Sequence, residues 1–289
     1  MQGRVLKVMG ANYLVYESKP YNCILSGLIK KNNKPLVGDI VEFSVNDYDK
    51  DKNVITKILP RKNQLVRPYI SNLDQLFIVL SKSPKPDYLL IDKLIIYAKI
   101  NNITPIIVIN KSDILSEQEI AEIKGQFPTY KIIVVSAINN EVTELKQLLV
   151  NKISAFAGQS AVGKSSLINA ISPNLNLQTN GLSSKIERGQ HTTRHNEIYI
   201  MDNNIYIADT PGFSMLSLDL KPSELKDYYD DFKVFEDNCR YVGCDHINSK
   251  AKDCGVVKAV EEGKICLSRF DRYCKIYSEL KEKWERKYD

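Results

Sequence analysis

The octapeptide Gly158-Gln159-Ser160-Ala161-Val162-Gly163-Lys164-Ser165 follows the apolar stretch Ile153-Ser154-Ala155-Phe156-Ala157 and opens a helical segment. It fits G-x-x-x-x-G-K-[ST], a loop that wraps phosphates. Its glycines let successive backbone N–H groups turn inward at a helix N-terminus. Lys164 neutralises β- and γ-phosphates, and Ser165, with Ser166 beside it, brings a hydroxyl to Mg²⁺. The base is read elsewhere. Asn110-Lys111-Ser112-Asp113 follows the strand-like Ile106-Ile107-Val108-Ile109 and fits N-K-x-D. A carboxylate at Asp113 can accept from both guanine N1–H and the exocyclic amine, donors that adenine lacks. Ser136-Ala137, after the strand at 132–135, stands where a short loop would bring a backbone N–H to the guanine oxygen.

Asp209-Thr210-Pro211-Gly212 ends a further strand at 205–208 and fits D-x-x-G, in which Asp209 holds Mg²⁺ through water and the Gly212 amide faces the γ-phosphate. Between this element and the phosphate loop lies Gly189-Gln190-His191-Thr192-Thr193-Arg194, where Thr192 or Thr193 is placed to reach Mg²⁺. Phe213 follows Gly212, and a phenyl ring cannot orient an attacking water. His191 is therefore the candidate for that task, as an imidazole in the same loop. The site expected is one for GTP or GDP with Mg²⁺, and its catalytic candidates are His191, Lys164, Thr192 and Thr193.

A conventional GTPase meets these elements in the order phosphate loop, threonine, D-x-x-G, N-K-x-D, S-A. Here N-K-x-D and S-A come first. The rotation is physically allowed, because each motif ends its own strand at one edge of one sheet, so new termini leave the pocket intact. It also sends the segment after D-x-x-G almost directly into a cysteine-rich module. Nucleotide state is accordingly expected to reposition that module.

Cys239, Cys244, His246 and Cys254 lie within sixteen residues. Three thiols and an imidazole suffice for a closed tetrahedral zinc site, one ion per chain, that holds together a segment poor in apolar residues. Cys23, Cys266 and Cys274 are read as buried thiols.

The elements that must position these groups fall into three parts. Residues 1 to about 66 alternate short β-branched and aromatic segments, at 13–16, 22–25, 39–43 and 54–58, with Gly, Asn, Asp and Pro turns, the pattern of a small antiparallel barrel. From Leu76 apolar strands alternate with helices near 87–101, 117–125 and 141–151, a parallel α/β pattern whose ligands bind at the carboxyl ends of the strands. From about residue 224 the chain is helical and charged, ending in an amphipathic segment at 268–287.

The chain has 289 residues, enough for several cores. Its net charge is +5, and the excess is local: residues 1–70 carry 12 Lys/Arg against 6 Asp/Glu. A basic module on a near-neutral body suits a phosphate-backbone partner. No uncharged apolar run reaches the roughly 18 residues needed to span a bilayer, and nothing at Met1-Gln2-Gly3-Arg4 resembles a secretory signal. A cytoplasmic protein with no membrane partner is expected.

Together these features resemble the circularly permuted ribosome-assembly GTPases called RsgA or YjeQ. The resemblance rests on the motif order, the Gly189–Thr193 loop, the Cys/His cluster, Pro35-x2-Gly38-Asp39, and Pro60-Arg61-Lys62-Asn63-x-Leu65-x-Arg67-Pro68. It implies a multidomain α/β protein: an OB-fold RNA-binding barrel over 1–69, a permuted three-layer GTPase domain over 70–223, and a helical zinc-binding domain over 224–289. It further implies binding to the small ribosomal subunit through its ribosomal RNA, subunit-stimulated GTP hydrolysis, and GTP-linked release during late assembly. A monomer is expected.

Overall fold

The computed structural model describes residues 1–27, 29, 34–46, 53–66, 68–172, 196–201, 204–209 and 218–286. Five strands near the N-terminus, β1 (Gln2–Met9), β2 (Asn12–Tyr16), β3 (Pro20–Leu25), β4 (Ile40–Ser44) and β5 (Asn53–Ile58), pair in the order β1-β2-β3-β5-β4. The β1–β4 pairing closes them into a barrel. Period-two alternation sends Tyr13, Val15, Val41, Phe43 and Ile55 inward, with Val5 and Cys23, as the barrel core. One pairing is parallel, β3 with β5, where the sequence pattern suggested antiparallel strands throughout.

Strand β1 has a register shift between Val5 and Lys7, and this bulge lets two consecutive residues be buried in different places. Val5 enters the barrel core while Leu6 enters the core of the α/β unit. Beyond the bulge Lys7 pairs with Glu197, joining the barrel to the α/β sheet, and the Lys7 Nζ lies 2.7 Å from the Glu197 carboxylate.

A second joint is polar and buried. Asp39, fully buried, accepts both arms of the Arg61 guanidinium at 2.7 Å, the Ser71 hydroxyl at 2.6 Å and the Leu36 amide at 2.8 Å. Gly38 beside it has φ +96°, and a Cβ there would fall 2.1 Å from the Ser71 carbonyl oxygen. The Pro-x2-Gly-Asp and Pro-Arg-Lys-Asn segments thus meet in one charge-assisted network. A short pair, β6 (Gln64–Leu65) and β7 (Ile70–Ser71), follows, and its Leu65 and Ile70 pack in the α/β core.

The α/β sheet is built from β8 (Gln75–Leu80), β9 (Thr104–Ile109), β10 (Ile132–Val134), β11 (Ile153–Ala157), β12 (Glu197–Met201) and β13 (Ile205–Asp209), in the order β10-β9-β8-β11-β13-β12. All are parallel except β12, which runs antiparallel to β13. Helices α1 (Tyr88–Ile100) and α2 (Glu117–Gly125) cover one face, and α3 (Thr143–Leu149) and α4 (Lys164–Ile171) the other. Strand β8 shows why it reads as continuously apolar: Leu76, Ile78 and Leu80 face one layer, Phe77 and Val79 the other.

Helices α5 (Asp230–Glu236), α6 (Gly255–Glu261) and α7 (Leu267–Glu285), preceded by a 3₁₀ segment Pro222–Tyr228, form the C-terminal unit around Phe232, Tyr273, Ile276 and Leu280. Ile96 of α1 belongs to the same cluster, so α1 is apolar toward both the sheet and this unit. Under that contact lies a buried ionic cluster. Asp92 of α1 accepts from Arg269 at 2.8 Å and Arg272 at 2.5 Å, and Arg269 also grips Asp231 with two bonds. Among the described residues no helix is long and apolar enough to cross a membrane.

Candidate functional site

The sheet order brings four motif-bearing strand ends to one edge. Strand β11 ends at the phosphate loop, β13 at Asp209, β9 at Asn110, and β10 just before Ser136. The loops after β9 and β11 must reach each other across the end of β8, and side chains make that link. Asn110, 1% exposed, donates from Nδ2 to the Val162 carbonyl at 2.9 Å and accepts from the Ala137 amide at 3.3 Å. Lys111, held at φ +62°, donates to the Ala161 and Ser83 carbonyls at 2.9 and 2.7 Å. One asparagine therefore ties together three loops that the sequence keeps up to 52 residues apart.

Two glycines shape the phosphate loop for close approach. Gly158 has φ +134°, and a Cβ on it would sit 2.1 Å from the Val79 carbonyl oxygen. Gly163, at φ +93° before α4, would place a Cβ 2.3 Å from Asn110 Nδ2. Ala161 between them also has positive φ, +63°, backbone strain of the kind stored at ligand sites. A loop in which two positions admit no side chain, opening a helix, is a cradle for a phosphate chain. Lys164 turns back over it, its ammonium on the carbonyl oxygens of Gly158 at 2.9 Å and Gln159 at 2.5 Å. Burial pushes the Lys164 amine below its ordinary pKa. Ser165 and Ser166 sit half-buried in the first turn of α4, and Ser160 is exposed.

At the N-K-x-D and S-A loops the Ser136 hydroxyl, fully buried, donates to Asp113 at 2.6 Å. It also accepts the Asn139 amide at 3.2 Å, so the Asp113 carboxylate is held by a rigid turn. Asp209 is the last residue of β13, half-buried opposite Glu197. Gly212, His191, Thr192 and Thr193 lie outside the described residues.

Sequence reasoning missed the loop between β8 and α1. The Gln159 side chain accepts the Asp87 amide at 2.9 Å and donates to the Lys85 carbonyl at 3.2 Å, and Lys111 reaches Ser83 in the same loop. The signal for it was present, since β8 is a parallel strand ending at the same edge.

The cysteine cluster also assembles. Ligand atoms of Cys239, Cys244, His246 and Cys254 all lie within 4.8 Å of one another. A tetrahedral ion about 2.3 Å from sulfur and about 2.0–2.1 Å from nitrogen implies sulfur–sulfur edges near ~3.8 Å and sulfur–nitrogen edges near ~3.5 Å. Cys239 and Cys254 sulfurs are 3.8 Å apart, and His246 Nδ1 is 3.7 and 3.4 Å from them. Burial pushes the His246 imidazole below its ordinary pKa, toward the neutral form that ligates metal. Of the remaining cysteines Cys23 is buried, whereas Cys266 and Cys274 are half-buried rather than fully so.

The comparisons with known proteins agree with this geometry. The family model described as RsgA GTPase matches residues 58–219. The chain belongs to the RsgA GTPase family. An RsgA from Caldanaerobacter subterraneus subsp. tengcongensis is 42% identical over 100% of this chain and 98% of its own length. One from Alkaliphilus metalliredigens is 40% identical over 97% and 98%. Both are named small ribosomal subunit biogenesis GTPase RsgA. The crystal structure of YjeQ from Thermotoga maritima superposes with a TM-score of 0.82 at 33% identity, covering 96% of this chain and 98% of that one. YloQ, described as a circularly permuted GTPase, gives 0.80 at 30% identity over 98% and 95%. As a member of the RsgA family the chain is a GTP hydrolase, and strands β9 and β10, which lead into N-K-x-D and S-A, precede its phosphate-loop strand β11.

Proposed function

We propose that this GTPase binds the small ribosomal subunit and assists its late maturation, with subunit-stimulated GTP hydrolysis driving its release. The observation that carries the reading is the junction at Asn110, which makes the phosphate loop, N-K-x-D and S-A one pocket, in a chain whose full-length relatives are named for small-subunit biogenesis. Asp113 and the Ala137 amide read guanine, with Asn110, Lys111 and Ser136 holding them in place. The amides of Gly158 to Ser166 surround the phosphates, and Lys164 moves from its loop carbonyls onto the β- and γ-phosphates. Ser165 and Asp209 would hold Mg²⁺, which would supply positive charge against the phosphates. Thr192 or Thr193 and the Gly212 amide face the γ-phosphate, and His191 orients the attacking water.

The N-terminal module, residues 1–70, carries the basic excess, and its barrel is the part that meets ribosomal RNA. Cys239, Cys244, His246 and Cys254 hold one zinc ion of structural type, which favours a cytoplasmic protein with reduced thiols. The test is GTP hydrolysis by the protein alone, with small subunits and with large subunits, beside a Lys164→Ala control. Stimulation by small subunits only, lost in the control, is expected. Hydrolysis indifferent to subunits would assign the activity to another partner.

A further inference from the structure

We infer that Glu236, at the end of α5, is the residue that orients His246 as a metal ligand. The inference rests on the Cys₃His reading of the cluster and adds a fifth residue to it. His246 is 1% exposed, with φ +63°, and its ring is flanked by Phe232 and Tyr273. Its Nδ1 faces the sulfurs of Cys239 and Cys254, and its Nε2 faces Glu236 Oε1 at 3.5 Å. The two nitrogens therefore have divided roles. An imidazole that ligates through Nδ1 must carry its proton on Nε2, and a buried N–H needs an acceptor.

Glu236 supplies that acceptor as a carboxylate, which fixes the tautomer, holds the ring plane and strengthens Nδ1 as a donor. The same residue supports the first ligand too, because its backbone carbonyl accepts the Cys239 amide at 2.9 Å. Within α5 the residue of opposite charge, Lys233, pairs with Asp230. The macrodipole disfavours negative charge in the last turn of a helix, so the placement is explained by what lies beyond the helix. Lys226, which donates to the Cys244 carbonyl at 3.1 Å, offsets part of the negative charge that three thiolates and a glutamate bring together.

The experiment uses the full chain as wild type, Glu236→Ala, Glu236→Gln and Cys254→Ser. Zn²⁺ affinity is measured by competition with a chromophoric chelator, the coordination sphere by the absorption spectrum of the Co²⁺-loaded protein, and helix content by circular dichroism. Glu236→Ala is expected to bind Zn²⁺ about 10- to 100-fold more weakly. Glu236→Gln, which retains an acceptor oxygen on Nε2, recovers part of the loss. Both keep the thiolate charge-transfer bands and the wild-type helix content. Affinity of Glu236→Ala within about twofold of wild type, where removal of such partners ordinarily costs far more, overturns the inference while leaving the metal site standing. Wild type that binds no Zn²⁺, with Cys254→Ser indistinguishable from it, overturns the Cys₃His reading and this inference together.

Discussion

Replacing Asp92 with alanine tests what fastens the C-terminal unit to the α/β unit. Asp92 is 1% exposed and is the carboxylate shared by Arg269 and Arg272, whose side chains are 2% and 8% exposed. Without it Arg269 retains Asp231, but Arg272 is left with the neutral oxygens of Gln126 and Ser268. Breaking a buried pair by removing one partner costs about 3–5 kcal/mol, because the surviving charge stays desolvated. The same joint contains an internal control. Lys93 on α1 meets Glu279 on α7 at 2.6 Å, with side chains 23% and 53% exposed. An ion pair exposed to that degree contributes about 0–1 kcal/mol. The assay is urea denaturation followed by tryptophan emission, since the chain's only tryptophan is Trp284, near the end of α7.

With a slope of about 1–3 kcal/mol per molar urea, a 3–5 kcal/mol loss lowers the midpoint by at least about 1 M. Lys93→Ala should move it by much less. Equal shifts in the two variants would refute the reasoning, because the buried cluster would then contribute no more than a solvent-facing pair.

Gly163→Ala should abolish nucleotide binding with the fold retained, checked by fluorescent-GDP titration, because its Cβ would strike Asn110 and break the junction of the three loops. Asp113→Asn should weaken GTP binding at least about tenfold, since each hydrogen bond to a charged group contributes about 1.5–3 kcal/mol. Competition with xanthosine triphosphate should show a reversed preference, as xanthine presents an oxygen where guanine has its amine. Removing metal with a chelator should lower the unfolding transition seen by Trp284 and leave that of the α/β unit in place, because the cluster packs within the C-terminal core. Hydrogen exchange over residues 225–289 should differ between GDP and a non-hydrolysable GTP analogue; identical protection would remove the case for nucleotide-driven repositioning.

The pocket was legible because its chemistry constrains the backbone. Gly158 and Gly163 occupy positions where a Cβ would collide with Val79 or Asn110, and Asn110, Lys111 and Asp113 sit where loops must meet. What escaped reading depends on distant partners. Strand β1 was not anticipated, since Gly3, Arg4 and Lys7 interrupt its apolar rhythm and its bulge puts Val5 and Leu6 in separate cores. The parallel pairing of β3 with β5 and the reversed direction of β12 are matters of topology, on which local pattern is silent. Asp92 looks like an ordinary helix-surface carboxylate until Arg269 and Arg272, 177 and 180 residues later, fold over it.

These connections change how a permuted nucleotide site can act at a distance. Two of the attachments that join the C-terminal unit to the α/β unit among the described residues lead back to the nucleotide-binding motifs. One is covalent: eight residues separate Asp209, at the end of β13, from Leu218, which is already packed in the C-terminal core and whose carbonyl accepts Lys283 at 2.7 Å. The other is the buried cluster on α1. Helix α1 begins at the cap residue Asp87, whose backbone amide is bound by Gln159 of the phosphate loop. Both attachments therefore start at the nucleotide-binding motifs, one after Asp209 and one beside the phosphate loop. A unit held only by its chain could swing without regard to α1. Held also by three buried charges, it moves either with α1 or by breaking a contact of about 3–5 kcal/mol, more than the about 1–3 kcal/mol by which allosteric sites are ordinarily coupled. Rearrangement around the γ-phosphate can therefore shift the C-terminal unit most cheaply by carrying α1 along, and that makes Gln159 and Asp92 two residues through which such a shift would pass.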